Sequence, residues 1–370
     1  MADNDYSYMH PEAARAKTLD ETDKKCPACG GTMDYDPATG GLHCPFCEHR
    51  QAITYAPDQQ TRAAELDFAS AEQTGNCDWG REIKAVICKN CGAESVYDAL
   101  VISNECPYCG SNQVMEEKGK NTLAPNGVVP FRVDIQRAGS LFVGWIRKKI
   151  FCPKAAKEKA KPESFTGVYL PYWTFDANTT SRYAGRYGID RVVRKDGNSK
   201  VITDWYQMSG VHEEFINDQL VIATDRHEPG LLSRIEPFNT EDNMAYRPEF
   251  VAGFVAERYS IGLKDAWKRA MDAIRNVLTG HIREEVRVRK NASRVSVERL
   301  ETSYRSVTYK YLLLPVWLSS FQYGGKTYQF MINGQTGKVG GKAPVSPLRV
   351  AIAVLIGLAL LALYYFVRNL

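Results

Sequence analysis

The chain has 370 residues, enough for two or three domains, and 47 Lys and Arg against 43 Asp and Glu leave a formal charge of only +4. A surface built to wrap a duplex carries a stronger basic excess, so bulk charge neither favours nor excludes a nucleic-acid partner. The opening MADNDYSYMH has no apolar run of the kind a secretory signal needs. With 10 cysteines, a chain expected on the reducing side of a membrane is more suited to metal binding than to disulfides.

Residues 1–24 are polar and are expected to be disordered. A cysteine repeat follows. The first quartet is Cys26, Cys29, Cys44 and Cys47, and the second is Cys88, Cys91, Cys106 and Cys109, each 62 positions after its counterpart (88−26, 91−29, 106−44, 109−47). Both read C-x2-C-x14-C-x2-C and both end in matching knuckles, CPFC and CPYC. Structural zinc takes four tetrahedral ligands and favours thiolate, and a C-x2-C turn presents two sulfurs to one ion. Pro27, Gly30, Gly92, Pro107 and Gly110 suit such turns. The spacing predicts zinc ribbons over 25–50 and 85–115, each holding one structural Zn²⁺ in place of a hydrophobic core. A rubredoxin-like iron and a disulfide framework remain open as alternatives. His43 and His49 flank the first knuckle, while Cys77 and Cys152 lie outside both quartets and read as free thiols. The linker 51–84 carries a polar, acidic stretch, 61–72, that reads as a short helix.

The segment 120–345 reads as an α+β domain. Asp134 is placed to cap a helix whose apolar face is Ala138, Leu141, Phe142, Trp145 and Ile146. A stronger helix is expected over 262–279, on a stripe of Leu263, Ala266, Trp267, Ala270, Met271, Ile274, Val277 and Leu278, with Gly280 as its stop. The stretch GVYLPYWTFD at 167–176 and parts of 192–208 are strand-like, as are 305–319 and 326–332, with Asn333-Gly334 as a turn. Leu170-Pro171-Tyr172-Trp173 is echoed 144 positions later by Leu314-Pro315-Val316-Trp317 (314−170). The segment 145–161 holds seven Lys and Arg against Glu158, with Trp145 and Phe151 interleaved, a pattern that suits lipid headgroups or nucleic-acid phosphates as well as a plain solvated face.

Residues 350–367, opening on Val350 and closing on Val367, contain no charge. At about 1.5 Å rise per residue, such a helix spans roughly 27 Å, close to the hydrocarbon thickness. Arg349 and Arg368 flank it and Tyr364 and Tyr365 sit at the far interface, so 349–368 reads as a transmembrane tail anchor. Lys338, Lys342 and Arg349 on the near side place the N-terminal bulk in the cytoplasm, as a single-pass protein. No phosphate-binding loop, H-E-x-x-H, G-x-S-x-G or G-x-G-x-x-G occurs, and no catalytic constellation is found, so no enzyme is expected.

With Val129-Pro130-Phe131, LPYWTFD at 170–176, LPVW at 314–317 and NGQTGK at 333–338 after the cysteine quartets, the chain resembles a family of bacterial zinc-ribbon membrane proteins. Its members are tail-anchored and are often labelled TFIIB-type or primosomal-helicase-like. Some resemble the membrane partners of phage-shock and SPFH-domain envelope-stress systems. The resemblance spans nearly everything from Cys26 onward. It implies an inner-membrane scaffold or adaptor that recruits cytosolic protein partners, with a membrane neighbour or an oligomer at the α+β domain. The absent nucleotide loop means that motor activity does not carry over. From another class, a membrane-tethered nucleic-acid binder is the alternative.

Overall fold

Long runs rich in Val, Ile, Thr, Tyr, Phe and Trp favour extended backbone in the middle of the chain. The computed structural model describes residues 25–55, 60–71, 83–88, 94–98, 114–117, 125–159, 165–195 and 198–368. The cysteine-rich end contributes β1 (Asp34–Asp36), β2 (Gly41–His43), β3 (Arg50–Gln51), β4 (Leu66–Asp67), β5 (Ile83–Cys88), β6 (Glu94–Asp98) and β7 (Val114–Glu117). After β8 (Gly127–Val128) come helices α1 (Ile135–Arg147) and α2 (Lys154–Lys159). The long strands β9 (Thr166–Lys195) and β10 (Asn198–Ile222) follow, then α3 (Pro229–Leu232), β11 (Met244–Ala245) and β12 (Val255–Glu257). The chain closes with α4 (Leu263–Lys290), β13 (Arg294–Tyr323), β14 (Lys326–Asn333), β15 (Val339–Gly341) and α5 (Pro347–Arg368).

One 12-stranded sheet gathers nearly all of these, in the order β11-β8-β13-β9-β12-β6-β5-β7, with β10 on β9, β14 and β4 on β13, and β15 on β14. This corrects the expected fold class of separate zinc ribbons followed by an α+β domain. A large sheet dominates the described residues and helices are few. The strands of the region read as a second ribbon belong to that sheet: β6 pairs with β12 through Val96 opposite Ala256 and Ser95 opposite Glu257. Of the stretch 61–72, read as helix, residues 61–70 are extended or turn, and Leu66 and Asp67 pair with Tyr309 and Thr308 of β13. Its local composition suits a helix, but the exposed edge of β13 supplies hydrogen-bond partners that an isolated short helix lacks.

β9 and β13 have 30 residues each and run antiparallel over nearly their whole lengths. At about 3.3 Å per residue such strands reach up to roughly 100 Å. Their halves differ. In the proximal half, residues 168–177 of β9 are all buried. Val168, Leu170 and Tyr172 pack with Leu312, Leu314, Val316, Leu231, Ile235 and Phe238 in one core. Tyr169, Trp173 and Phe175 point the other way, into a core with Phe131, Tyr309, Leu313 and Trp317. Both tryptophans satisfy their indoles: Trp173 Nε1 donates to Ile261 O at 2.9 Å and Trp317 Nε1 to Val133 O at 2.8 Å.

In the distal half β9 is flanked by β10 and by residues 294–305 of β13. α4 covers one face with Ala266, Ala270, Ile274, Leu278, Ile282 and Val286 at four-residue spacing. The stripe continues past the expected stop at Gly280, which lies mid-helix with its α-carbon open to solvent. Burial of Ile282 and Val286 outweighs the cost of one helical glycine, about 1 kcal/mol. The helix instead ends at Asn291 in the left-handed conformation. α1 matches its sequence reading: Asp134 caps it by accepting from Arg137 N at 2.7 Å, and Ala138, Phe142 and Ile146 are buried.

α5 has 22 residues. Its span Pro347–Tyr365 is long and apolar enough to cross a membrane, by length and composition, and none of it is buried.

Candidate metal centre

The first quartet sits on two knuckles of the same build. In one, Gly30 N donates to Cys26 O at 2.8 Å and Gly30 takes φ +74°. In the other, Glu48 N donates to Cys44 O at 2.9 Å and Glu48 takes φ 60°. Residues 30–43, including the β1–β2 hairpin, join the knuckles and bring all four sulfurs to one place, as the spacing predicts.

A tetrahedral ion with Zn–S near 2.3 Å requires sulfur–sulfur separations of about 3.8 Å. Cys26 Sγ lies 3.4 Å from Cys47 Sγ and Cys29 Sγ 3.5 Å from Cys44 Sγ, and all four sulfurs lie within 4.8 Å of one another. The donor set therefore fits one metal ion, with Cys26 and Cys44 buried and Cys29 and Cys47 exposed. Burial pushes the Cys44 thiol up, but backbone N–H groups of Phe46 and Cys47 and the neighbouring thiols bring it down to about 7. A thiolate forms there most readily, which is what a metal requires. His43 and His49 are half-buried and lie outside the four-sulfur group. Of the second quartet, Cys88 ends β5, opposite Val114. Cys91, Cys106 and Cys109 lie outside the described residues, as does Cys77. Cys152 is a buried free thiol.

The first cage is no free-standing module. Met33, Tyr35 and Leu42 join the main core, Tyr35 N donates to Ala252 O at 3.1 Å, and the Tyr35 ring packs against Phe250 at 5.8 Å.

Three charged clusters were not evident from sequence. Glu65, Asp176 and Asp218 converge on Lys310, whose Nζ pairs with Glu65 and lies 2.6 Å from Asp218 Oδ1. Burial raises the Asp176 carboxyl, while burial on Lys310 is outweighed by its two carboxylates, so it stays firmly charged. The ammonium already supplies the cation these acids need. The one signal in the sequence is Lys310 itself, a lone charge in the apolar run YKYLLLPVW. In the second cluster, Glu257 is fully buried, with Thr224 Oγ1 at 2.7 Å and His227 Nε2 at 2.9 Å. The third joins β10 to α4 through His212, Glu214, His281 and Glu285. An open groove of about 440 Å³ beside it is lined by Glu214, Asp218, Glu236, Phe238 and Val277. Burial raises the Glu236 carboxyl.

NGQTGK is a structural loop. Asn333 Oδ1 accepts from Gln335 N and Thr336 N, both at 2.9 Å, and Gly337 N donates to Asn333 O at 2.8 Å with φ +78°. LPYW and LPVW meet at one pair only, Leu170 opposite Leu314; the rest of LPYW lies opposite Tyr311, Leu312 and Leu313, and the rest of LPVW opposite Tyr169, Val168 and Gly167.

Fold and site together define a β-sheet protein with a four-cysteine cluster able to hold one metal ion and one exposed apolar helix long enough to cross a membrane. The chain belongs to the family of the uncharacterized protein YdjG of Bacillus subtilis, to which it is 30% identical over 331 residues, 88% of this chain and 91% of that protein. No family model and no solved structure matches it.

Proposed function

We propose that this protein is a membrane-anchored adaptor that uses zinc-stiffened cysteine knuckles to recruit protein partners to the bacterial inner membrane. The observation that carries the reading is Phe46, in the Cys44-Pro45-Phe46-Cys47 knuckle, whose side chain is 75% exposed beside the metal cage. An ion held by four thiolates fixes the knuckle before any encounter, which lowers the ordering cost of burying that ring against a partner. α5 serves as a single-pass anchor, with Lys338, Lys342 and Arg349 keeping the bulk in the cytoplasm. The envelope-stress setting follows only from the resemblance to partners of phage-shock and SPFH-type proteins.

A crosslinking pull-down from detergent-solubilised membranes tests this. Capture that survives high salt, and is lost on chelation and in Phe46→Ala, is expected. A partner set that ignores both changes would sink the reading. The alternative, a membrane-tethered nucleic-acid binder, draws on the cysteine modules together with the basic stretch from Arg147 to Lys161; steeply salt-dependent retention of DNA or RNA by the purified protein would favour it.

A further inference from the structure

The turn between α1 and α2 is tied to the base of α5. Ser346 N donates to Phe151 O at 2.8 Å, and Arg349 Nη1 donates to Ile150 O and Cys152 O, each at 2.8 Å. Arg349 stands one residue before the charge-free stretch that opens at Val350. Whatever depth α5 takes in a bilayer, this turn lies at its entry point. Two apolar side chains there are turned outward: Ile150 is 69% exposed and Phe151 37%. Within seven residues of them along the chain come Arg147, Lys148, Lys149, Lys154 and Lys157, the first four exposed and the last partly so, against one acid, Glu158. Lys149 Nζ lies 4.7 Å from the Trp145 ring centre, and Lys157 Nζ donates to Arg147 O at 3.1 Å. The only described ion pair within the group is Lys154 with Glu158, at 3.9 Å.

Exposed apolar side chains on a turn flanked by lysines and an arginine match an anionic membrane surface, whose acyl boundary takes the former and whose headgroups take the latter. We infer that the α1–α2 turn is a lipid-binding wedge: Ile150 and Phe151 enter the headgroup boundary while Arg147, Lys148, Lys149, Lys154 and Lys157 bind anionic phospholipid. The wedge rests on α5 being a membrane span. It fixes the orientation of the sheet on the bilayer, because the turn is held both by α5 and by α1, whose Phe142 and Ile146 are buried in the core.

Hydrogen–deuterium exchange on the full chain in nanodiscs tests wedge and span separately. Discs of phosphatidylcholine alone are compared with discs containing phosphatidylglycerol. The span predicts strong protection of α5 in both. The wedge predicts that exchange in the 148–157 segment slows about five-fold or more in the anionic discs, and that Lys148→Glu with Lys154→Glu removes the gain, as does high salt. Both lysines are exposed, so the variant retains its fold. If α5 is protected while the turn exchanges equally in both discs, the wedge is wrong and the span stands. If α5 itself exchanges freely, both fall. Equal protection of the turn by a short DNA duplex in neutral discs would assign the patch to nucleic acid and overturn the proposal.

Discussion

His212 Nδ1 lies 2.9 Å from Glu285 Oε2, so a side chain of β10 and one of α4 meet across the distal sheet. Glu214 Oε2 approaches the other ring nitrogen at 3.0 Å and also engages His281 Nδ1 at 2.9 Å. An imidazole with a carboxylate at each nitrogen is held as a double donor, the charged form.

Stability should therefore depend on pH through this cluster. Burial alone would lower the His212 pKa, but hydrogen bonds to Glu214 and Glu285 outweigh it and raise the value in the folded state. A raised value means that the contribution is full below the unfolded histidine pKa, about 6.5, and is lost as pH rises through the folded one. As pH rises from about 6.5 through the raised folded-state value, the wild type should lose stability faster than His212→Gln, by at most about 1.4 kcal/mol per pH unit, since one proton is involved. Parallel melting curves for the two across that window would refute this. Glu214 acts at the acid end. Burial raises its pKa but His212 and His281 lower it further, so its share is present above the unfolded carboxylate value and lost as pH falls through the folded one.

Lys310 should be among the most sensitive positions. Its side chain is 5% exposed and sits against Glu65 and Asp218. Lys310→Met leaves the buried Asp176 and the partly buried Asp218 uncompensated, with Glu65 open to solvent, and a loss of about 3 kcal/mol in denaturant titration is expected. Adding Asp218→Asn should recover part of it. A Lys310→Met protein as stable as wild type would mean that water already solvates these acids.

Two backbone positions should gain stability on substitution. Glu48 holds the left-handed conformation that Gly30 holds in the matching knuckle, so Glu48→Gly removes a steric cost and should add about 0.5 to 1 kcal/mol. Gly280 lies mid-helix, and a Cβ there meets nothing within 4 Å, so Gly280→Ala should add a similar amount, about 0.5 to 1 kcal/mol. Thermal denaturation of each single variant decides both; a fall in either melting temperature contradicts the corresponding argument.

Metal content can be assigned to the first cage. Cys26→Ser with Cys44→Ser should lower bound metal by one ion per chain in elemental analysis. It should also weaken exchange protection around Met33, Tyr35 and Leu42, which pack between the cage and the main core. Unchanged metal content would remove the first quartet as a site.

Several features were legible one residue at a time. Asp134 as a cap, the apolar stripe of α4 and the two C-x2-C pairs of the first quartet are local patterns, and local geometry answers to them. Sheet membership was less accessible. The alternation expected of strands is broken by register shifts between Ile216 and Gln219, Val297 and Arg299, and Arg305 and Thr308. Each shift changes which side chains face the core, so no single period runs through β10 or β13. In 168–177, burial on both faces erases alternation altogether. The echo of LPYW in LPVW became a contact, Leu170 opposite Leu314, but an offset of 144 residues carries no information about pairing.

The sequence by itself determined where thiols can meet a shared ion, where a charge-free helix begins and ends, and which helical faces are apolar, because these depend on spacings within a few turns of chain. Tertiary structure alone decided that β4 to β7 of the cysteine-rich end pair into the long sheet while β1 to β3 form a small sheet of their own, that Lys310 is enclosed by three acids, and that the α1–α2 turn is tied to the base of α5. Those arrangements join residues from about 90 to more than 240 positions apart, as between Glu65 and Lys310. Their energies arise from desolvation and hydrogen bonding that exist only once the chain has folded.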